Sequence, residues 1–215
     1  MEYSGKTFLI TGGPTIEYID PVRIISNKST GKMAIVFAEE VLKRGGKVMM
    51  VLGPTVLEPP EGAEVFRVEI TREMMKVVKK LLRERKVDYF IAAAAVADFR
   101  PVKVRRKKIS TREVREFTVS FVRNPKIIRE VKKLSPRAVL VGFKAEFGRK
   151  KLEEKGRKLM EEAGCDIVVA HDISSGAGFG VDRIEGVILT RKKSIPFQGS
   201  KRELSRLLLR LMSEK

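Results

Sequence analysis

Lys6-Thr7-Phe8-Leu9-Ile10-Thr11-Gly12-Gly13-Pro14-Thr15 is an apolar run that closes on two glycines and a proline. One short loop later comes Ile25-Ser26-Asn27-Lys28-Ser29-Thr30-Gly31-Lys32-Met33. The first stretch reads as a buried strand ended by turn residues. The second gathers an amide, hydroxyls, two amines and a glycine where a helix is expected to begin. The first turn of a helix offers unpaired backbone N–H groups and a positive dipole end. An anion, phosphate or carboxylate, is therefore expected between the two.

Outward from this unit, apolar runs bounded by turn residues alternate with amphipathic stretches of helix length. Strands are expected at Thr7 to Ile10, Lys47 to Leu52, Glu64 to Val68, Asp88 to Ala93, Ala138 to Phe143 and Asp166 to Val169. Helices are expected at Gly31 to Arg44, Thr71 to Glu84, Pro125 to Leu134, Lys150 to Ala163 and Lys201 to Met212. Such alternation marks a parallel sheet with helices on its faces. The expected fold is a doubly wound, Rossmann-like α/β domain over residues 1–215. A C-terminal hairpin, Gly186 to Thr190 and Ser194 to Phe197, turns at Arg191-Lys192-Lys193.

Composition narrows the class. The chain has 215 residues, of which 43% are hydrophobic, enough for a substantial core. One cysteine, Cys165, permits no internal disulfide, and no Cys/His cluster has metal-ligand spacing, so no metal centre is expected. No apolar run approaches the roughly 20 residues of a membrane span, and the N-terminal residues lack the apolar stretch of a secretory signal. A cytoplasmic protein without membrane contact is expected. The net charge of +18 would attract polyphosphates. Yet the basic residues lie in mixed runs such as Lys79-Lys80-Leu81-Leu82-Arg83-Glu84-Arg85-Lys86, the pattern of a solvated helix face. No RNA-module signature with interleaved aromatics is present, and nucleic acid is not an expected partner.

One stretch breaks the alternation. From Asp98 to Glu116 the chain is too basic for a core and too long for a hairpin loop, so it reads as a mobile lid or a surface loop, a flap at about 98–116. It follows Ile91-Ala92-Ala93-Ala94-Ala95-Val96-Ala97, at the carboxyl end of a strand, where ligands bind in open α/β sheets. The alanines either let a flat ligand lie against the backbone or permit tight helix–sheet packing.

Asp20-Pro21-Val22-Arg23-Ile24-Ile25-Ser26-Asn27-Lys28-Ser29-Thr30-Gly31-Lys32-Met33, followed by Ala92 to Asp98, Lys108-Ile109, Asn124-Pro125 and Val141-Gly142-Phe143, closely resembles phosphopantothenoylcysteine synthetase, the amide-forming ligase of coenzyme A biosynthesis. The matches run in order from Thr11 to about Asp182. The resemblance implies a two-step reaction. The carboxylate of 4'-phosphopantothenate attacks the α-phosphate of a nucleoside triphosphate, giving an acyl-nucleotide and pyrophosphate, and the amine of cysteine then displaces the nucleotide. In the family the nucleotide is CTP or ATP; the alanine-rich run and Asp98 resemble the CTP-using branch. Triphosphate chemistry implies Mg²⁺, carried mainly by phosphates and water. The resemblance also implies a homodimer. Because the first motif begins at Thr11, any flavin-dependent decarboxylase partner is expected as a separate subunit.

The resemblance assigns catalytic roles to Asn27, whose amide can hold the acyl carbonyl of the intermediate, and to Lys108, a charge delivered by the flap to the α-phosphate. Read from residue type alone, Asn27 is first a helix cap. The nucleotide would lie against Ala92, Ala93, Ala94 and Asp98, with Pro125, Lys126, Ile127, Ile128 and Phe143 approaching it. Lys158 takes the place of a family lysine, one residue out of the usual spacing, and a second family lysine falls on Ala163. Phosphopantothenate would use Gly12, Gly13, Arg23, Asn27, Ser29 and Thr30.

Other motifs are weaker. Thr30-Gly31-Lys32 is no P-loop, since Ser26 stands where the leading glycine belongs and Met33 where Ser or Thr belongs. Gly176, Gly178 and Gly180 lie before a hairpin and read as a flexible loop, not a dinucleotide fingerprint. His171, the single histidine, replaces a family asparagine at a strand end and is expected to lack a catalytic role. Cys165 reads as core packing. An NAD(P)-binding oxidoreductase and a nucleic-acid-binding module are the alternatives from other classes.

Overall fold

A computed structural model describes residues 1–110, 112–174, 176 and 178–213; Thr111, in the expected flap, lies outside the described residues. The central sheet has eight strands: β1 (Thr7–Gly12), β4 (Lys47–Leu52), β5 (Ala63–Arg67), β6 (Tyr89–Ala92), β9 (Val139–Glu146), β10 (Ile167–Asp172), β11 (Arg183–Thr190) and β12 (Ser194–Ser200). Their order is β12-β11-β10-β9-β6-β1-β4-β5, parallel from β10 to β5, with β11 and β12 added antiparallel. The C-terminal hairpin is thus the sheet's own edge, and it is longer than the sequence pattern suggests.

Helices cover both faces, which is why β1 is apolar at successive positions instead of alternating. Phe8 and Ile10 meet α1 (Lys32–Leu42) and α5 (Lys201–Ser213). Leu9 points into the opposite core, with α2 (Thr71–Glu84), α3 (Ile128–Leu134) and α4 (Leu152–Ala163). Gly12 sets how closely α1 approaches: a Cβ there would lie 2.4 Å from the Ala34 Cβ. Among the described residues, no helix is long and apolar enough to cross a membrane.

Two small sheets were not visible in the hydropathy pattern. Strands β2 (Ile16–Tyr18) and β3 (Ile24–Ser26) form an antiparallel pair after β1. Strands β7 (Phe99–Pro101) and β8 (Phe121–Arg123) close the base of the flap, so the excursion runs to Arg123, beyond the expected Glu116. Both pairs are three residues per strand and largely exposed outside β2, too short to carry a period.

Helix α5 is locked to α1 by a buried carboxylate. Glu40, 1% exposed, accepts Arg44 Nη1 at 2.8 Å, Arg202 Nη1 at 2.8 Å and Arg206 Nε at 3.0 Å. Burial pushes its carboxyl up, but the hydrogen bonds from Arg44, Arg206 and Arg202 outweigh burial and hold it at about 2, below the usual 4.5. A depressed carboxylate contributes stability that is complete above its unfolded pKa and is lost as pH falls through the folded one. Glu40→Gln is therefore expected to lower the Tm at pH 7 by several degrees, with the gap to wild type narrowing as pH drops from 4.5 toward 2 in thermal scans.

Candidate active site

The chain leaves β1 toward β4 and later returns to β6 on the other side of β1, so the carboxyl ends of β1 and β6 form the topological switch point. Ligands in open α/β sheets bind in the crevice such a point creates. Here the two loops run side by side past the strands. Ala93 N donates to Thr11 O at 3.1 Å, Ala95 N to Gly13 O at 2.9 Å and Thr15 N to Ala95 O at 3.3 Å, and Pro14 bridges Ala95. Gly53 is required where β4 passes this turn, because a Cβ there would fall 1.7 Å from Pro14 O.

The loop before α1 folds over this platform. Ser26 Oγ donates to Thr15 O at 2.9 Å, and Asn27 Nδ2 donates to Ala95 O at 3.0 Å and Val96 O at 3.3 Å. Asn27 is thus no helix cap; that position falls to Gly31, left-handed at φ 79°, whose backbone lies against Gly13. Ser29 Oγ accepts Gly31 N at 3.3 Å and Thr30 Oγ1 accepts Lys32 N at 3.5 Å. A hydroxyl that accepts keeps its own hydrogen to donate, so both are available to an anion. Beside them a cleft of about 590 Å³, lined by Leu52 to Val56, Arg67, Val68, Glu69 and Glu73, adjoins Thr30 through the Thr55 hydroxyl at 2.8 Å.

A buried polar hub supports the crevice from below. Asn124 Nδ2 donates to Glu17 Oε1 at 2.7 Å, Ala97 O at 3.0 Å and Thr71 Oγ1 at 3.2 Å. Thr15 Oγ1 shares a hydrogen bond of 2.9 Å with Thr71 and accepts Ala97 N at 2.8 Å. Asn124 N also donates to Asp98 O at 2.8 Å, fixing Asp98, whose carboxylate meets Lys126 Nζ at 2.5 Å.

The expected residues fall into three groups. Gly12, Gly13, Asn27, Ser29 and Thr30 converge with the Ala92–Asp98 loop, and Lys126 joins through Asp98. Arg23 is engaged elsewhere, on Asp20 and the Ile109 carbonyl. Lys108 stands exposed beside that contact, without an ion pair among the described residues. Ile127 is buried in the core, Ile128 packs near Gly142, and Phe143 is partly buried against the other core. Lys158 lies on the exposed side of α4, 4.0 Å from Glu162. The lysines at the carboxyl end of β9 are Lys144 and Lys155, both on Glu146.

The described residues of the glycine-rich loop reach α5 and the start of α1. Buried Lys201 donates to the Gly178 and Val181 carbonyls, and Lys32 meets Asp182 at 3.1 Å. His171, buried beneath Phe179, has its pKa lowered to about 4, chiefly by burial and then by Lys201, so the ring is neutral at ordinary pH. Cys165 is buried with its thiol pushed up to about 12 by burial and Asp166, the state of an inert packing residue. Among the described residues no cluster of three or more His, Cys, Asp or Glu is placed to hold a metal.

Sheet, switch-point crevice and its two loops define a doubly wound α/β domain with a candidate ligand site at the strands' carboxyl ends. The chain belongs to the DNA/pantothenate metabolism flavoprotein C-terminal domain family, whose model matches residues 3–215. It is 38% identical over 208 residues to the coenzyme A biosynthesis bifunctional protein CoaBC of Thermococcus kodakarensis, covering 95% of this chain and 50% of that protein. With CoaBC of Bacillus subtilis the identity is 38% over 180 residues, covering 83% and 43%. The chain thus spans about half the length of the curated relatives it matches. The crystal structure of the C-terminal domain of a CoaBC superimposes with TM-score 0.81 at 30% identity, covering 99% of this chain and 96% of that one. A Cab2 mutant in complex with phosphopantothenate-cysteine, 17% identical, shares the fold at TM-score 0.80 over 97% of this chain and 86% of that one.

The hub makes a sharp prediction. Asn124→Leu removes the donor facing Glu17, Thr71 and Ala97, and a buried acceptor left unpaired costs about 1–3 kcal/mol, more for a charged one. Denaturant unfolding should show that loss, and hydrogen exchange should rise at Ala97.

Proposed function

We propose that this chain is a phosphopantothenate–cysteine ligase that forms an amide through an acyl-nucleotide. The observation that carries the reading is the contact of Asn27 with the Ala95 and Val96 carbonyls, which joins the two most specific family motifs in one crevice. The identity with CoaBC proteins across most of the chain, and the Cab2 relative's bound phosphopantothenate-cysteine, support it.

In the first step a carboxylate oxygen of phosphopantothenate attacks the α-phosphorus of the triphosphate and pyrophosphate leaves. Negative charge grows on the α-phosphate oxygens, and Lys108 supplies a mobile ammonium to neutralise it. In the second step the neutral amine of cysteine attacks the acyl carbon, the nucleoside monophosphate leaves, and the amine proton is released. Asn27 would hold the acyl carbonyl with an Nδ2 hydrogen that the structure gives to the Ala95 or Val96 carbonyl, so one of these contacts opens when the intermediate forms. The Asn27 amide is held at the crevice wall, and an aspartate there would set a carboxylate against two carbonyl oxygens. Gly12, Gly13, Ser29 and Thr30 would receive phosphopantothenate through backbone N–H and hydroxyl donors. Ala92, Ala93, Ala94, Asp98, Phe143 and the start of α3 from Pro125 would border the nucleotide. Mg²⁺ would supply charge neutralisation on the triphosphate. The Asp98 carboxylate is already paired with Lys126, so phosphate oxygens and water would hold most of the ion.

We further propose CTP over ATP, a cytoplasmic location, and a homodimer. The exposed apolar residues Ile24, Ile25, Phe99, Phe121 and Val122 on the small sheets suit contact with a second copy. The bifunctional relatives suggest a decarboxylase as a further partner.

The test is pyrophosphate and nucleoside monophosphate formation from phosphopantothenate, cysteine and Mg²⁺ with CTP and ATP in parallel. Turnover is expected, faster with CTP; a folded sample silent with both would refute the ligase. Asn27→Asp should retain pyrophosphate release and lose cysteine capture, whereas Lys108→Gln should lose pyrophosphate release.

A further inference from the structure

Asp20 lies in the β2–β3 turn with 0% exposure. Its Oδ1 accepts Val22 N at 2.8 Å and Arg23 N at 2.7 Å, while its Oδ2 accepts Arg23 Nη1 at 2.5 Å and, from the flap, Ile109 N at 3.1 Å. Arg23 completes the grip, with Nη1 and Nη2 both donating to Ile109 O at 3.3 Å. One carboxylate and one guanidinium therefore hold both polar groups of a single flap residue, whose side chain is itself buried. Two more ties land on the same turn. Arg105 N donates to Ile19 O at 2.9 Å, and the Arg23 guanidinium lies 5.9 Å from the centre of the Phe117 ring. Burial pushes the Asp20 carboxyl up, but hydrogen bonds from Ile109, Val22, Arg23 and the Arg23 side chain hold it well below the usual range. Asp20 thus stays ionised at ordinary pH.

We propose that Asp20 and Arg23 are positioning residues that fix where the flap delivers Lys108, an inference that rests on the ligase reading above. Lys108 is the residue next to the clamped Ile109, so its Cα is held about 3.8 Å from a fixed point. What remains free is its side chain. Without the clamp, the ammonium would ride on a loop of roughly 20 residues, sampling a volume in which few positions face the α-phosphate, and lost positioning raises the barrier. Arg23 is then a jaw of the flap clamp, and the substrate phosphate is left to hydroxyl and backbone donors.

The experiment follows pre-steady-state pyrophosphate release, cysteine capture of separately prepared acyl-nucleotide, and limited trypsin cleavage at Arg105, Arg106, Lys107 and Lys108, comparing wild type with Asp20→Asn. Expected are a fall of about tenfold or more in the pyrophosphate step, capture within about twofold, and cleavage faster by about tenfold. Faster cleavage with an unchanged pyrophosphate step would overturn the proposal, as would a lost step with normal flap protection. Equal loss of both half-reactions with a lowered Tm would assign Asp20 a purely structural role. Should Asp20→Asn fail to fold, Arg23→Gln takes its place. A raised KM for phosphopantothenate with unaltered trypsin protection would then place Arg23 on the substrate phosphate and overturn the clamp. Wild type silent with both nucleotides would sink the ligase reading, while the trypsin comparison would still decide whether Asp20 and Arg23 tether the flap.

Discussion

The Asn124 side chain holds the site together. Its amide touches β2 through Glu17, the start of α2 through Thr71 and the loop after β6 through Ala97, while its backbone N–H fixes Asp98. These segments are far apart in sequence, and none has a core of its own. A polar group buried without a partner is costly, so a fully paired network allows few alternatives to the arrangement that pairs it. That constraint lets the loops at the switch point stay ordered although their side chains are alanine and glycine, which bring little apolar surface to bury.

The main sheet and its helices were legible because burial on two faces writes long apolar runs, and because glycine and proline punctuate them. Each expected strand and helix is present; β4 and α2 have the expected bounds, and the others differ at their ends by at most 3 residues. The loop before α1 was legible for a different reason: Asn27, Ser29 and Thr30 are polar residues crowded beside a glycine, which hydropathy alone would not place at a helix start. The small sheets were not legible. Three-residue strands with exposed side chains, such as Ile24–Ser26, carry no period and look like loop.

The hub and the clamp were hidden for another reason. Asn124-Pro125 enters the sequence reading only as one of the matched family strings, and nothing in its neighbourhood announces partners 27, 53 and 107 residues away. Arg23 follows Asp20 at three residues' distance and, by the family resemblance, reads as a guanidinium donor to the substrate phosphate. Only its geometry places it on Ile109, 86 residues later. Long-range pairing of ordinary polar residues leaves no pattern in one sequence, whereas periodic burial does.

The distribution of cations around the crevice follows from the same economy. Lys32 is paired with Asp182, Lys126 with Asp98, Lys144 and Lys155 with Glu146, and Lys201 is sunk onto two backbone carbonyls. Arg23 is committed to Asp20. These cations are therefore built into walls, and the surface proposed to face the anion offers neutral donors on Gly12, Gly13, Ser29 and Thr30 with the start of α1 behind them. Neutral donors of fixed direction select a ligand by shape more than by charge. On the ligase reading proposed above, an ammonium such as that of Lys108, unpaired among the described residues, serves best as a late arrival from a tethered flap, where its charge meets the negative charge that develops during reaction.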